Sequence, residues 1–136
     1  MDNHNHPNLI LIHRFFEAYA NNNVDDLADV FHSDVKWHIP GAHPLSGTKV
    51  GVSGILDYLT KLGKYNFQAE GIVMGVSDDH VIDCHRNWSN DEDGESLNNM
   101  SCLLWKIEEN KIKEVFNFPQ DQHVVDAYFN SKFNGK

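Results

Sequence analysis

The stretch Asn98-Asn99-Met100-Ser101-Cys102-Leu103-Leu104-Trp105-Lys106-Ile107-Glu108, then Glu109-Asn110, then Lys111-Ile112-Lys113-Glu114-Val115-Phe116-Asn117-Phe118, decides the fold. Aliphatic and aromatic residues crowd both runs, and two polar residues part them. The pattern is that of an antiparallel hairpin. Two similar runs precede it, residues 65–77 and 80–89, parted by Asp78-Asp79. The loop between the two hairpins, Asn90-Asp91-Glu92-Asp93-Gly94-Glu95-Ser96, is strongly acidic. Asp91, Asp93 and Glu95 alternate as calcium ligands can, but the flanking helices and distal Glu of such a loop are absent. The loop reads as a solvated hairpin tip. Four consecutive strands therefore fill most of the second half.

The first half has helical spacing. Leu9, Ile12, Phe16 and Tyr19 form one stripe over residues 8–20, which Phe15 widens. Asn21-Asn22-Asn23 breaks this helix and caps the next, whose first turn carries Asp25 and Asp26 where the dipole favours acids. Val24, Leu27, Ala28 and Phe31 give its buried face. Residues 35–39 form a short strand ended by Pro40-Gly41, and 41–51 read as a loop. A third helix buries Val52, Ile55, Leu56, Leu59 and Leu62 and stops near Gly63. After Pro119 a last helix starts at about Asp121, with Val124, Val125, Tyr128 and Phe129 on its apolar side. Helices followed by a run of strands indicate an α+β protein with segregated layers. The sheet can curl around the helices and enclose a cavity, which the last helix closes.

The chain has 136 residues, enough for a single domain over 1–136, with residues 1–7 expected to be a flexible start. A hydrophobic share of 40% with 11% aromatics argues against disorder. Twenty acidic against 11 basic residues give a formal charge of −9. Such a surface repels phosphate backbones and anionic lipid, so neither nucleic acid nor membrane is expected as a partner. Cys84 and Cys102 sit in apolar runs and read as reduced core thiols. No apolar stretch approaches a membrane span and no signal peptide is visible, so the expected location is cytoplasmic.

Two sites can carry chemistry. His38 follows Trp37 on a strand, so the two point to opposite faces and one of them faces inward. A buried His38 would suit a general base. In Asp83-Cys84-His85-Arg86, Asp83 and His85 share one face, and a carboxylate so placed can orient an imidazole. The bland alternative sets Asp83 and His85 on a wet outer face. The nine histidines show no metal spacing, and there is neither a phosphate loop nor a nucleophile elbow. No metal and no cofactor are expected. Trp88, Trp105, Phe116 and Phe118 serve either as core or as walls of an apolar pocket.

Three stretches carry a family resemblance: residues 15–34, ending Asp25-Asp26-Leu27-Ala28-Asp29-Val30-Phe31-His32-Ser33-Asp34; Val35–Gly41 with Pro44-Leu45-Ser46-Gly47; and Lys111–Pro119 with Asp121-Gln122 and Asp126-Ala127-Tyr128-Phe129. From Leu9 to Phe129 the chain resembles the SnoaL-like, ketosteroid-isomerase-like members of the nuclear-transport-factor-2-like superfamily. The resemblance implies a cone: a curved antiparallel sheet wrapped around N-terminal helices, an internal pocket for a small apolar molecule, and a homodimer formed through the sheet. It puts the isomerases' base at His38, their oxyanion tyrosine at Phe15 and their protonated aspartic acid near Leu103. The cyclases' acid/base aspartate and histidine fall on Asn117 and Leu103. Phe15 and Leu103 are not donors and Asn117 shuttles no proton, so neither parent activity is expected unchanged.

Two readings stand side by side. One is an isomerase-, lyase- or cyclase-like enzyme moving a proton on a small apolar carbonyl compound. His38 would be its base and His85 its partner, with Phe15, Tyr19, Leu103, Trp105, Phe116, Asn117 and Phe118 around the ligand. The other is a non-catalytic ligand-binding or dimerisation module.

Overall fold

The computed structural model describes residues 6–64, 67–89, 91 and 96–133. Its elements are α1 (Pro7–Ala20), α2 (Val24–Val30), β1 (Phe31–Ile39), β2 (Gly47–Val50), α3 (Gly51–Gly63), β3 (Gln68–Val76), β4 (His80–Trp88), β5 (Asn98–Glu108), β6 (Lys111–Pro119) and α4 (Gln122–Phe133). Six strands form one curved, open sheet in the order β2-β1-β6-β5-β4-β3. The α+β class is as expected, with one joint of different polarity. β1 lies parallel to β6, while the other four joints are antiparallel. β2 falls inside the stretch expected as loop; it is only four residues long and pairs with β1 alone. The bulk of the acidic tip, Asn90 and residues 92–95, lies outside the described residues.

Local chemistry sets the helix ends. Pro7 opens α1, and His6 Nδ1 accepts from the Asn8 amide. Asn8 Nδ2 then donates to the carbonyls of Ser77 and Asp78, tying α1 to the β3–β4 turn. Asn23 caps α2, its side-chain oxygen accepting from the Asp26 amide at 3.2 Å. Asp121 does the same for α4, accepting from His123 and Val124.

The core lies between the helices and the inner face of the sheet. Its centre is an aromatic wedge. Phe15 of α1 sits 5.0 Å from Trp105 of β5 and 5.9 Å from Trp37 of β1, and the two indoles are 5.5 Å apart. Trp105 is fully buried, as are Ile12, Val35, Ile55, Val81, Ile112 and Val115 around it.

The β1–β6 register shifts between Phe31 and Lys36, and β6 and β3 each carry a bulge; the one in β6 decides which of its side chains face the core. In β6, Ile107 opposes Ile112 while Lys106 opposes Glu114, so Lys113 is an extra residue. In β3, Gly71 opposes His85 while Val73 opposes Cys84, so Ile72 is extra. After Lys113 the alternation of β6 inverts. Val115 is buried, whereas Phe118 is 52% exposed.

α4 is fastened across one end of the sheet at two places. Near its start, Asp126 Oδ1 accepts from the Ala42 amide at 3.1 Å and from Gln122 at 2.9 Å. Gly41 lets the loop approach this closely: its φ is +97°, and a Cβ there would collide with Gln122 and Asp126. His43 packs beside this contact, its ring 4.9 Å from Phe129, with Nδ1 accepting from the Leu45 amide. Near the end of α4, Lys132 pairs with Asp91 at 3.0 Å, both side chains buried. The Tyr128 hydroxyl donates to the same carboxylate at 2.7 Å.

Two outcomes follow from this packing. Trp105→Ala should cost about 3 kcal/mol or more of unfolding free energy in urea titration, because it removes the centre of the wedge. The second concerns His43, whose pKa is lowered by burial, although Asp126 at 4.0 Å opposes the effect. The unfolded ring titrates at about 6.5 and binds the proton more readily than the folded one. Its contribution is therefore complete above about pH 6.5 and shrinks as pH falls below that value. Urea midpoints measured on either side of pH 6.5 should show this loss, and a shallower slope in His43→Gln.

Candidate functional site

Between the helices and the inner face of β4, β5 and β6 lies a cavity of about 120 Å³, which meets a wider opening of about 850 Å³ beside α1, α3 and β3. The two share Phe16, Tyr19, Leu59, Phe67, Gln68, Ala69 and His85. The walls are chemically unlike. The helices contribute rings and aliphatics, among them Phe15, Phe16 and Tyr19 of α1, Tyr58 and Leu59 of α3 and Phe129 of α4. The sheet contributes polar groups: His85 and Asn87 of β4, Asn99 and Ser101 of β5, and Asn117 of β6.

Strand alternation produces the polar wall. Along β4, Val81, Asp83 and His85 are buried at every second position. Along β5 the inward residues run Asn99, Ser101, Leu103, Trp105, Ile107, from polar to apolar. Register then places His85 opposite Ser101 and Asn87 opposite Asn99.

His85 is the titratable group of this wall. Its Nδ1 lies 3.2 Å from Asp83 Oδ1, and the Asp83 carboxylate can only accept, so Nδ1 carries the proton. Nε2 is then the lone-pair nitrogen, and it accepts from Asn87 Nδ2 at 3.3 Å. Asp83 is 1% exposed, and its Oδ2 has no hydrogen-bond partner among the described residues. This is the arrangement in which a buried carboxylate fixes the tautomer of a base and stabilises its protonated form.

The opposite wall holds unused donors. The Tyr19 and Tyr58 hydroxyls have no hydrogen-bond partner among the described residues, and Trp37 Nε1 is buried without one. Burial pushes the Tyr19 phenol up to about 12. It raises the Tyr58 phenol too, with Tyr19 adding to the effect. Both therefore stay protonated, as hydrogen-bond donors, across the physiological range.

The structure separates the residues expected at the site. His85, Phe15, Tyr19, Leu103 and Asn117 line the cavity. His38 does not. Trp37 takes the inward position on β1, and His38 faces the other side of the sheet, stacked on Phe116 at 4.8 Å. There its Nε2 bonds Glu114 at 2.6 Å and its Nδ1 bonds Thr48 at 2.9 Å, joining three neighbouring strands. Phe116 and Phe118 are also on that outer face, because the bulge at Lys113 inverts the alternation after Ile112. Trp105 is packed behind the wall, within the wedge. Tyr58, Asn87, Asn99 and Ser101 were not singled out from the sequence. Asn99 and Ser101 were detectable, since they share the phase of Leu103, Trp105 and Ile107 and so had to face inward.

Among the described residues, one group, with two exposed carboxylates and a mostly covered histidine, has the donor set for a metal ion. Donor atoms of His32, Glu108 and Glu109 lie within 4.8 Å of one another at the β5–β6 turn. Both ring nitrogens of His32 are engaged, with Glu109 and with the Asp34 amide. No described helix is long and apolar enough to cross a membrane.

The geometry fixes an expected spectrum. In ¹⁵N-edited NMR at neutral to mildly alkaline pH, the neutral His85 ring should be the Nδ1–H tautomer. Asp83→Asn should shift it toward a mixture.

Similarity to other proteins agrees with this architecture. Residues 12–115 match the model of the SnoaL-like domain. No curated protein matches the chain at a significant level. Among solved structures, Bal32a from a soil-derived mobile gene cassette superposes with a TM-score of 0.85 at 22% identity, over 90% of this chain and 96% of that one. A protein of unknown function with a cystatin-like fold from Xanthomonas campestris gives 0.81 at 26% identity, over 90% and 97%. TerC, co-crystallised with polyporic acid, gives 0.80 at 17% identity, over 91% and 98%. With three quarters of its length matched to that family's model, and with the fold that its relatives share, the chain belongs to the SnoaL-like domain family.

Proposed function

We propose that the cavity binds a small, largely apolar carbonyl compound and that His85 moves a proton on it. The observation that carries this reading is His85 in the cavity wall with Asp83 buried behind it, Nδ1 tied to the carboxylate and Nε2 left as the basic nitrogen. Nε2 takes a proton from the carbon next to the carbonyl. Negative charge then develops on the carbonyl oxygen, and the Tyr19 and Tyr58 hydroxyls are the donors available to meet it. Donors held in place before the reaction are worth most once the ligand has displaced water from the site. Return of the proton to another carbon gives an isomerisation. His38 has no part in this chemistry.

Size narrows the ligand. An apolar cavity of about 150 Å³ admits a benzene ring. The inner cavity of about 120 Å³ therefore suits a single ring, and larger substituents extend into the wider opening. Purely binding function is favoured by one contact, the Asn87 amide bonded to the lone pair that a base must use.

Cyclohexanone in D₂O separates the two. The wild-type protein should speed exchange of its α-protons, read by ¹H NMR. His85→Gln should lose that acceleration by on the order of a hundredfold or more. Tyr19→Phe and Tyr58→Phe should weaken it, and His38→Gln should leave it unchanged. Exchange that survives in His85→Gln sinks the proposal. Bound ketone without exchange in the wild type leaves the binding function.

A further inference from the structure

The two cysteines of the chain are cross-strand neighbours. Cys84 of β4 stands directly opposite Cys102 of β5. Both lie on the outer face of the sheet, since Asp83 and His85 beside Cys84, and Ser101 and Leu103 beside Cys102, are buried on the inner one. Both are partly exposed.

Their phase in the ladder can be read from its ends. The Ser89 amide donates to the Leu97 carbonyl, and the Ile107 amide donates to the Asp79 carbonyl. Both bonds join residues in the register of the β4–β5 ladder, and both fall at odd-numbered positions on either strand. In an antiparallel pair, hydrogen-bonded and non-hydrogen-bonded positions alternate. Cys84 and Cys102, at even-numbered positions, therefore form a non-hydrogen-bonded pair. At such positions the Cα atoms are about 4.5 Å apart and the side chains approach most closely. Disulfides need Cα atoms roughly 4.4–6.8 Å apart, and a pair of this kind falls at the short end of that range.

We propose that Cys84 and Cys102 form a dithiol site that closes reversibly to an intramolecular disulfide by exchange with a small disulfide such as oxidised glutathione. One cysteine thiolate attacks a sulfur of the glutathione disulfide, breaking its S–S bond and releasing one glutathione thiolate, which takes up a proton. The second cysteine, having lost its proton to solvent, attacks the protein-side sulfur of the mixed disulfide and releases the second glutathione. The protein loses two protons and two electrons, and one glutathione disulfide takes them up to become two glutathione thiols. Burial, together with the hydrogen bond and charge of Cys84, holds the Cys102 thiol above its usual range. A Cys102 thiolate is therefore scarce at neutral pH, so its part in closure speeds up as pH rises.

Surroundings favour closure within one chain. Val73 faces Cys84 from β3, and Phe118 faces Cys102 from β6. They flank the pair along its row, and each is more than half exposed. Each thiol therefore has its cross-strand partner as its nearest thiol. Opening and closing would act directly behind the cavity wall, because Cys84 lies between Asp83 and His85 in sequence.

Intact-mass spectrometry of the full chain equilibrated in glutathione buffers of rising oxidised-to-reduced ratio tests the proposal. The wild type should lose the mass of two hydrogen atoms, stay unlinked to other chains on a non-reducing gel, and regain both thiols in excess reduced glutathione. Cys84→Ser and Cys102→Ser should show no such loss and stop at the mixed glutathione adduct. Small isosteric changes at partly exposed positions keep these variants folded, which circular dichroism checks. A wild type that accumulates only glutathione adducts, links between chains, or retains both thiols under oxidised glutathione overturns the proposal.

Discussion

The contact of Phe15 with Trp105 and Trp37 sets where the molecule is filled and where it is hollow. Three large rings lock α1 against the middle of the sheet, and close packing of such surfaces leaves little freedom to shift. Below this wedge, the inner face of β5 continues with Ile107 and the core is solid. Above it, the inward side chains shorten and become polar, at Ser101 and Asn99. The helices cannot move down to meet them, because the wedge already fixes their height. The cavity is thus the space left where short polar residues face large rings held away from them.

The same constraint explains why two similar histidine–carboxylate pairs have different prospects. His38 with Glu114 and His85 with Asp83 are both hydrogen-bonded, and His38 has the shorter contact. His38 and Glu114 are each about one-third exposed, whereas Asp83 and His85 are buried beside the cavity. Water screens the first pair and can supply its protons, so its worth is modest and structural. The second lies where a ligand would replace water, and electrostatic effects there are larger.

Much of this was legible in the chain itself. The helices follow from the three- and four-residue spacing of Leu9, Ile12, Phe16 and Tyr19 and from caps such as Asn23. The hairpins follow from their apolar runs and two-residue turns. Strand phase was harder to read. Nothing in Trp37-His38 says which of the two is buried, and the larger indole took the core. Lys113 bears no mark of a bulge, so Phe116 and Phe118 read as inward when the extra residue in fact sends them out. β2 escaped notice because four residues carry no measurable alternation. Tyr58 sat on a helix whose apolar face was already accounted for by aliphatic residues, and its hydroxyl gained meaning only beside Tyr19.

The bulge at Lys113 also bears on how relatives of this chain can diverge. A strand has two faces, and parity along the backbone assigns every residue to one of them. If β6 kept every residue but paired regularly, without the bulge, the strand beyond Ile112 would turn inside out. Phe116 and Phe118 would enter the cavity and Asn117 would leave it, with no side chain replaced. The presence of the bulge therefore decides which side chains of β6 reach the cavity, whatever their identity. Two family members with matching residues there can still enclose different interiors if only one of them bulges the strand.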